Sequence, residues 1–255
     1  MGVVIRQSIK GTVISYIGVI LGVISILWIF PYCLSTVQIG LYRVLIDAAT
    51  FFVIFTQLGT TSVSIKFFPY FKDPKKKHNG FLFYLLLVPF IGFIFFLVLF
   101  IFYKDYILAP FQDKSPLLIN YYYYVIPLTF FMLYMVILES YAQSLLKIVV
   151  PKLVREIIIR SLLTIAIILF FFHLVDLSGL IRLIVILYGI ALFLLIGYIK
   201  YLGQLYMKPD FKSLSPALFK QMRKFGFFML LGSGGGILVA KIDTFMLSSL
   251  SGLSD

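Results

Sequence analysis

Seven long apolar runs constrain this chain more than any other feature of its sequence. Each run is about as long as the roughly 20 apolar residues that a helix needs to cross a bilayer. The runs lie near residues 11–31, 40–61, 81–103, 121–143, 154–175, 180–199 and 225–249. The sequence therefore predicts an all-α polytopic membrane helical bundle with about seven transmembrane helices.

Positive charge is concentrated in every second gap between these runs. Most of the 22 Lys and Arg residues lie at the N-terminus and around the gaps after the second, fourth and sixth runs. Cytoplasmic loops of membrane proteins are enriched in Lys and Arg, so we expect a cytoplasmic N-terminus and seven crossings. Orientation and attraction to anionic membrane lipids explain the net charge of +12, and we expect no nucleic acid partner.

Composition excludes several classes of protein. Charged residues make up 13% of the chain, against about 25% in soluble domains. The single cysteine, Cys33, cannot form an internal disulfide, and His78 and His173 are too far apart to indicate a zinc site. We place His78 in a solvated basic loop. No nucleotide-binding or hydrolase motif is present, so we expect neither an enzyme nor a cofactor or metal.

A polar stretch from about Tyr201 to Lys224 is the longest connection and carries turn residues. It divides the chain into a six-helix bundle over residues 1–207, a cytoplasmic linker over 208–224 and the first helix of a second bundle over 225–255. On this interpretation the chain is a fragment of a longer protein. A complete seven-helix protein is the alternative.

Ionisable residues inside the apolar runs are the candidate functional residues. A lone charge at the centre of a membrane helix costs about 2.5–3.5 kcal/mol, so such residues need a reason to be there. We expect them to line a water-filled cavity that accepts an anionic headgroup; the alternative is that they reach water at helix ends or neutralise one another. They are Arg43, Asp47, Glu139, Arg155, Arg160, Lys241 and Asp243.

Spacing predicts how some of these residues are arranged. Arg43 and Asp47 are four residues apart and share a helix face, as do Glu156 and Arg160. Arg155 faces away from that second pair. Because no nucleotide site is present, transport would draw on an ion or substrate gradient. The residues that could carry a proton or bind a cation are Asp47, Glu139 and Asp243.

Two further motifs have competing interpretations. The Gly-Ser-Gly-Gly-Gly run at residues 232–236 predicts a kinked or broken seventh helix, or simply close helix packing. The residues from Tyr121 to Tyr124 begin the fourth helix, where tyrosines form an interfacial belt. Stacking on a sugar is the alternative role for these tyrosines.

Several segments resemble the Wzx-type polysaccharide-biosynthesis flippases of the multidrug/oligosaccharidyl-lipid/polysaccharide exporter superfamily. The segments are Ser8-Ile9-Lys10-Gly11, Gln38-Ile39-Gly40-Leu41-Tyr42-Arg43, Ser64-Ile65-Lys66-Phe67-Phe68-Pro69 and Asp243-Thr244-Phe245-Met246-Leu247. The resemblance implies two six-helix bundles around a cavity lined by charged residues.

The same resemblance implies a flippase of the bacterial inner membrane, in pathways such as O-antigen and lipopolysaccharide assembly. Its substrate would be a lipid-linked oligosaccharide on undecaprenyl pyrophosphate, moved from the cytoplasmic to the periplasmic leaflet by alternating access, with protons or sodium as possible coupling ions. The alternatives are a cation-coupled small-molecule exporter of the same superfamily, a membrane polysaccharide polymerase or ligase, and a non-catalytic scaffold or receptor.

Overall fold

The structure, a computed structural model, describes residues 2–73, 75–111, 115–208 and 215–250. Within these ranges the chain is helical, and no β-strand occurs. This confirms the predicted all-α membrane bundle.

Eight principal helices follow one another along the described chain. Helix α1 is Val3–Ile24, continued by a π-helical turn at Ser25–Ile29 and by Phe30–Cys33. Helices α2, α3 and α4 are Thr36–Thr56, Thr60–Phe71 and Phe81–Phe102. Helix α5 joins Pro116–Tyr121 to Val125–Ser144 through a 3₁₀ turn, and α6 is Val149–Leu153, a π-helical turn at Val154–Ile158 and Ile159–Phe171. Helices α7 and α8 are Leu177–Tyr201 and Pro216–Leu250.

Five of the described segments are long and apolar enough to cross a membrane, by length and composition. They are Ile5–Cys33, Thr36–Thr56, Lys77–Phe102, Pro116–Ser144 and Leu177–Tyr201. Helices α6 and α8 overlap the two remaining predicted runs. Every 18-residue stretch of α6 contains Arg155, Glu156 and Arg160, which is why it does not count as a simple apolar span.

Side-chain contacts establish the relative directions of the helices. In the contacts between α1 and α6, a higher residue number on one helix pairs with a higher residue number on the other, so these two helices are parallel. Along α4 and α5 the numbers run in opposite directions, so this pair is antiparallel. Both relations agree with a chain whose consecutive runs alternate in direction. The pairs are Ser15–Lys152 and Ser25–Thr164 in the first case, and Phe93–Phe130 and Phe100–Tyr122 in the second.

The second predicted run, 40–61, is wrong at its end, because α2 stops at Thr56 and α3 begins at Thr60. Gly59 has a φ of +70°, a left-handed conformation that costs glycine little, and it is the N-cap residue of α3. The two helices together lie alongside α4. The Thr56 carbonyl meets Gly92, and the ring of Phe71 stacks on that of Phe81 at 4.6 Å.

Helix α8 is longer than the predicted seventh run and is continuous from Pro216 to Leu250. It starts with Pro at its first position, and the Ser215 side chain accepts a hydrogen bond from the Leu218 N–H. The predicted break at residues 232–236 is therefore wrong. Since α8 begins inside the segment assigned to a linker, part of that segment is helical, and the domain boundaries stay a prediction.

Close backbone approach between α8 and the rest of the bundle occurs at another glycine. The Gly226 carbonyl lies directly against Gly59, so that a Cβ atom on Gly59 would overlap it. Gly234, inside the glycine-rich run, makes ordinary contact with the Phe55 ring, at 3.5 Å from a would-be Cβ. Close packing at Gly226 accounts for how α8 docks on the turn between α2 and α3.

Two predictions about polar aromatic residues also change. His78 is 2% exposed rather than solvated, and its Nε2 hydrogen-bonds the Gln204 side chain at 2.7 Å. Tyr122 is buried and stacks on Phe100, with ring centroids 4.1 Å apart, while its hydroxyl donates to the Phe100 carbonyl. That tyrosine packs the core, whereas Tyr123 is exposed as a belt residue would be.

Candidate functional site

A cavity of about 370 Å³ lies inside the bundle, between α1, α2, α5, α6 and α7. Its charged lining residues are three arginines and one glutamate, so the described lining carries more positive than negative charge. The residues that line it are Gly22, Ser25, Ile26, Phe30, Tyr42, Arg43, Met132, Met135, Arg155, Glu156, Ile159, Arg160, Leu163 and Tyr188.

Helix α6 supplies two of the three arginines. Arg160 forms an ion pair with Glu156 at 2.8 Å, which confirms the predicted four-residue pair. The second nitrogen of its guanidinium donates to the Gly18 carbonyl of α1, also at 2.8 Å. Two acceptors on two helices therefore hold the Arg160 head in place.

Helix α1 makes room for these charges with a stripe of small residues that sequence reasoning missed. The stripe contacts α6 along most of its length, and a Cβ atom on Gly22 would overlap the Arg160 guanidinium. The spacing of the stripe, alternately four and three residues, places all its members on one helix face. That spacing is the sequence signal from which the stripe could have been predicted. The stripe consists of Gly11, Ser15, Gly18, Gly22 and Ser25.

Arg155 also lines the cavity but faces a different partner. Its Nη1 donates to Oε2 of Glu139 on α5 at 2.9 Å, and this agrees with the prediction that Arg155 faces away from the Glu156–Arg160 pair. Glu139 itself is not among the lining residues. Its other oxygen, Oε1, is buried and accepts no hydrogen bond from the described residues.

Arg43 is the least restrained of the three arginines. Arg43 lines the cavity, and within the described ranges its guanidinium makes no hydrogen bond and no ion pair. An arginine without a hydrogen-bond or ion-pair partner among the described residues is available to an anionic ligand.

The structure thus brings together part of the predicted set. Arg43, Arg155 and Arg160 line one cavity, and Glu139 joins them through its ion pair. Asp47 is half-buried on α2 and is not a lining residue. The predicted residues Lys241 and Asp243 are in α8, and their side chains lie outside the described part of the structure.

The sequence model of a family described as "Polysaccharide biosynthesis protein" matches residues 8–255. The chain belongs to this family. Comparison with curated proteins and with solved structures finds no significant match.

Membership in the polysaccharide biosynthesis protein family supports a flippase or exporter role in polysaccharide synthesis, and members are generally transporters rather than enzymes. The apolar helices agree with a multi-pass membrane protein. Within this family member, the matched region contains every element of the arginine-lined cavity.

Proposed function

We propose that this protein moves a lipid-linked oligosaccharide of the undecaprenyl-pyrophosphate type across the bacterial inner membrane. Transport would run from the cytoplasmic to the periplasmic leaflet by alternating access, with the N-terminus in the cytoplasm. The observation that supports this proposal is the arginine-lined cavity in the bundle, in which Arg43 has no described protein partner.

A pyrophosphate suits this cavity because its oxygens accept paired hydrogen bonds from a planar guanidinium. Such bonds strengthen where water is scarce and the local dielectric constant is low. The volume, about 370 Å³, lies at the lower end of the roughly 300–1,000 Å³ range of small-ligand sites. It would hold the headgroup, while the polyprenyl chain and most of the saccharide lie outside.

The arginines would have different tasks. Arg43 would be the first contact for the anion, since binding there breaks no described protein–protein interaction. Arg160, held by Glu156 and by the Gly18 carbonyl, would supply a fixed positive charge. Lys241 and Asp243 remain predicted cavity residues, as does Asp47 although it is not among the described lining residues. Protons or sodium remain the proposed coupling ions.

Binding of farnesyl pyrophosphate to the protein in lipid nanodiscs tests the proposal. This probe carries the same headgroup on a shorter isoprenoid chain. Arg43→Ala removes the free guanidinium, and we expect affinity to fall about 10- to 100-fold, as for loss of charge-assisted hydrogen bonds. Arg43→Lys should recover only part, because an ammonium cannot make the paired contact.

A matched control is Arg182→Ala. Arg182 is also a helical arginine, but it is exposed and lies 3.8 Å from Asp176, away from the cavity lining. Its removal should leave affinity unchanged. Equal affinity of Arg43→Ala and wild type would contradict the proposed site.

The competing functions make different predictions for the same preparation. A cation-coupled exporter of small drugs would bind an organic cation, which the positive lining disfavours. A polymerase or ligase would transfer sugar between lipid-linked chains. Tight binding of a cationic dye, or sugar transfer by the purified protein, would replace the flippase as the favoured function.

A further inference from the structure

The ion pair between Glu139 and Arg155 connects the cavity to a buried carboxyl group that does not line it. We propose that Glu139 is an internal counter-ion: it holds Arg155 while the cavity is empty and takes up one proton when a phosphate group displaces it. This inference rests on the proposed function, because it assumes that the cavity binds an anion.

The geometry separates the two partners by their access to the cavity. The Arg155 side chain is 51% exposed and lines the cavity, whereas that of Glu139 is only 14% exposed. An anion can therefore reach Arg155 from the cavity without approaching Glu139 closely. Movement of the long Arg155 side chain would exchange one acceptor for the other.

Glu139 depends on Arg155 more than a surface carboxylate would. Oε2 accepts the Arg155 hydrogen bond at 2.9 Å, and the buried Oε1 has no donor in the described structure. Once Arg155 turns to a phosphate, neither oxygen retains a described donor. A carboxylate left in this position is more stable as the neutral acid, because burial penalises the charged form.

The surrounding charges point in the same direction. Arg155 and Glu156, both on α6, are the charged groups whose fields act on Glu139 among the described residues. Glu156 carries the same charge as Glu139 and opposes its ionisation. Helices α2, α3, α4 and α7 also pack against α5, and their described residues add no further charged group that acts on Glu139.

Arg160 shows why the exchange belongs to Arg155. Arg160 donates to both Glu156 and the Gly18 carbonyl, so its release would break two interactions on two helices. Arg155 has one described acceptor, and a phosphate oxygen replaces that bond in kind. The exchange of a carboxylate for a phosphate therefore takes place at Arg155, because its release breaks fewer interactions than the release of Arg160.

The expected consequence is linkage between proton and anion binding. Protonation of Glu139 frees Arg155 for the anion, and the anion in turn favours protonation, since linkage is reciprocal. Affinity should therefore rise as pH falls, by up to about tenfold per pH unit where one proton is fully linked. Calorimetric titration of farnesyl pyrophosphate in two buffers of different ionisation enthalpy measures the proton uptake directly.

Glu139→Gln is the decisive variant, because it keeps the shape and removes the titration. Wild type should take up close to one proton more per bound ligand than this variant, and protons that bind the ligand itself cancel in the difference. Asp176→Asn is the matched control. Asp176 begins α7 outside the cavity, Asn is also a good helix cap, and this variant should behave as wild type.

The outcomes distinguish the two proposals. If wild type binds the probe through Arg43 but takes up no more protons than Glu139→Gln, the counter-ion role is wrong and the proposed function stands. If wild type shows no Arg43-dependent binding, both fail. Should Glu139→Gln not fold, the double variant Glu139→Gln/Arg155→Gln, which keeps the pair neutral, replaces it. If that double variant takes up as many protons per bound ligand as wild type, the inference is also wrong.

Discussion

The contact between α1 and α6 at Gly18 yields a sharp stability prediction. A Cβ atom on Gly18 would lie 2.6 Å from the Glu156 Cβ and 3.0 Å from its carbonyl oxygen. Neither of those atoms is the free end of a flexible side chain. We therefore expect Gly18→Ala to push the two helices apart rather than be absorbed by a rotamer change.

Two contributions set the magnitude. Overpacking a close contact costs about 1–3 kcal/mol. Separation of the helices also stretches the 2.8 Å bond from Arg160 to the Gly18 carbonyl, and a hydrogen bond to a charged group is worth about 1.5–3 kcal/mol. With partial relaxation we expect a loss of about 2–4 kcal/mol, or roughly 5–15 °C in Tm for a chain of this length.

Thermal unfolding in lipid nanodiscs, followed by helical circular dichroism, measures this loss. Gly197→Ala is the matched control, because Gly197 lies in membrane helix α7 with nothing within 4 Å of a would-be Cβ. It should be neutral or slightly stabilising, since alanine favours helix over glycine. Equal Tm values for the two variants would show that α1 does not approach α6 closely at Gly18.

Three further measurements test other parts of the fold. Tyr122→Phe removes a buried hydrogen bond at 2.8 Å and should cost about 1 kcal/mol in unfolding, whereas Tyr123→Phe should cost nothing measurable. His78→Ala should lower the free energy of unfolding by about 2–3 kcal/mol through loss of a buried hydrogen bond and ring contacts; stability equal to wild type would show a solvated loop. With the native cysteine replaced by serine, Ser64→Cys/Ser144→Cys should form a disulfide under mild oxidation, because the two hydroxyl oxygens are 3.2 Å apart. Failure to cross-link would contradict the packing of α3 on α5, and either single variant is the control.

Periodicity and charge predicted the membrane bundle because long apolar runs leave few alternatives to helices in lipid. The same signal could not locate the end of α2. Residues 58–65 continue with apolar and small polar types, and the turn depends on the left-handed conformation at Gly59 and on its contact with Gly226. That contact joins residues far apart in sequence, so no local pattern reports it.

Candidate cavity residues were predictable from the cost of charge in hydrocarbon, but their partners were only partly so. The Glu156–Arg160 pair follows from four-residue spacing on one helix. The Glu139–Arg155 pair joins two helices, and its existence depends on how α5 and α6 pack. His78 shows the converse error: a basic sequence neighbourhood suggested solvent, whereas the ring is buried against Phe68 and Tyr206.

The small-residue stripe has a consequence for how the cavity could change shape. Arg160 reaches its second acceptor, the Gly18 carbonyl, only because Gly22 has no side chain and leaves room for the guanidinium. If α1 separated from α6, the Arg160 guanidinium would lose this acceptor and would face lipid acyl chains. We therefore expect α1 and α6 to move together as one rigid unit during any transport cycle. Movement of α2 and α7 relative to this unit would then open or close the cavity.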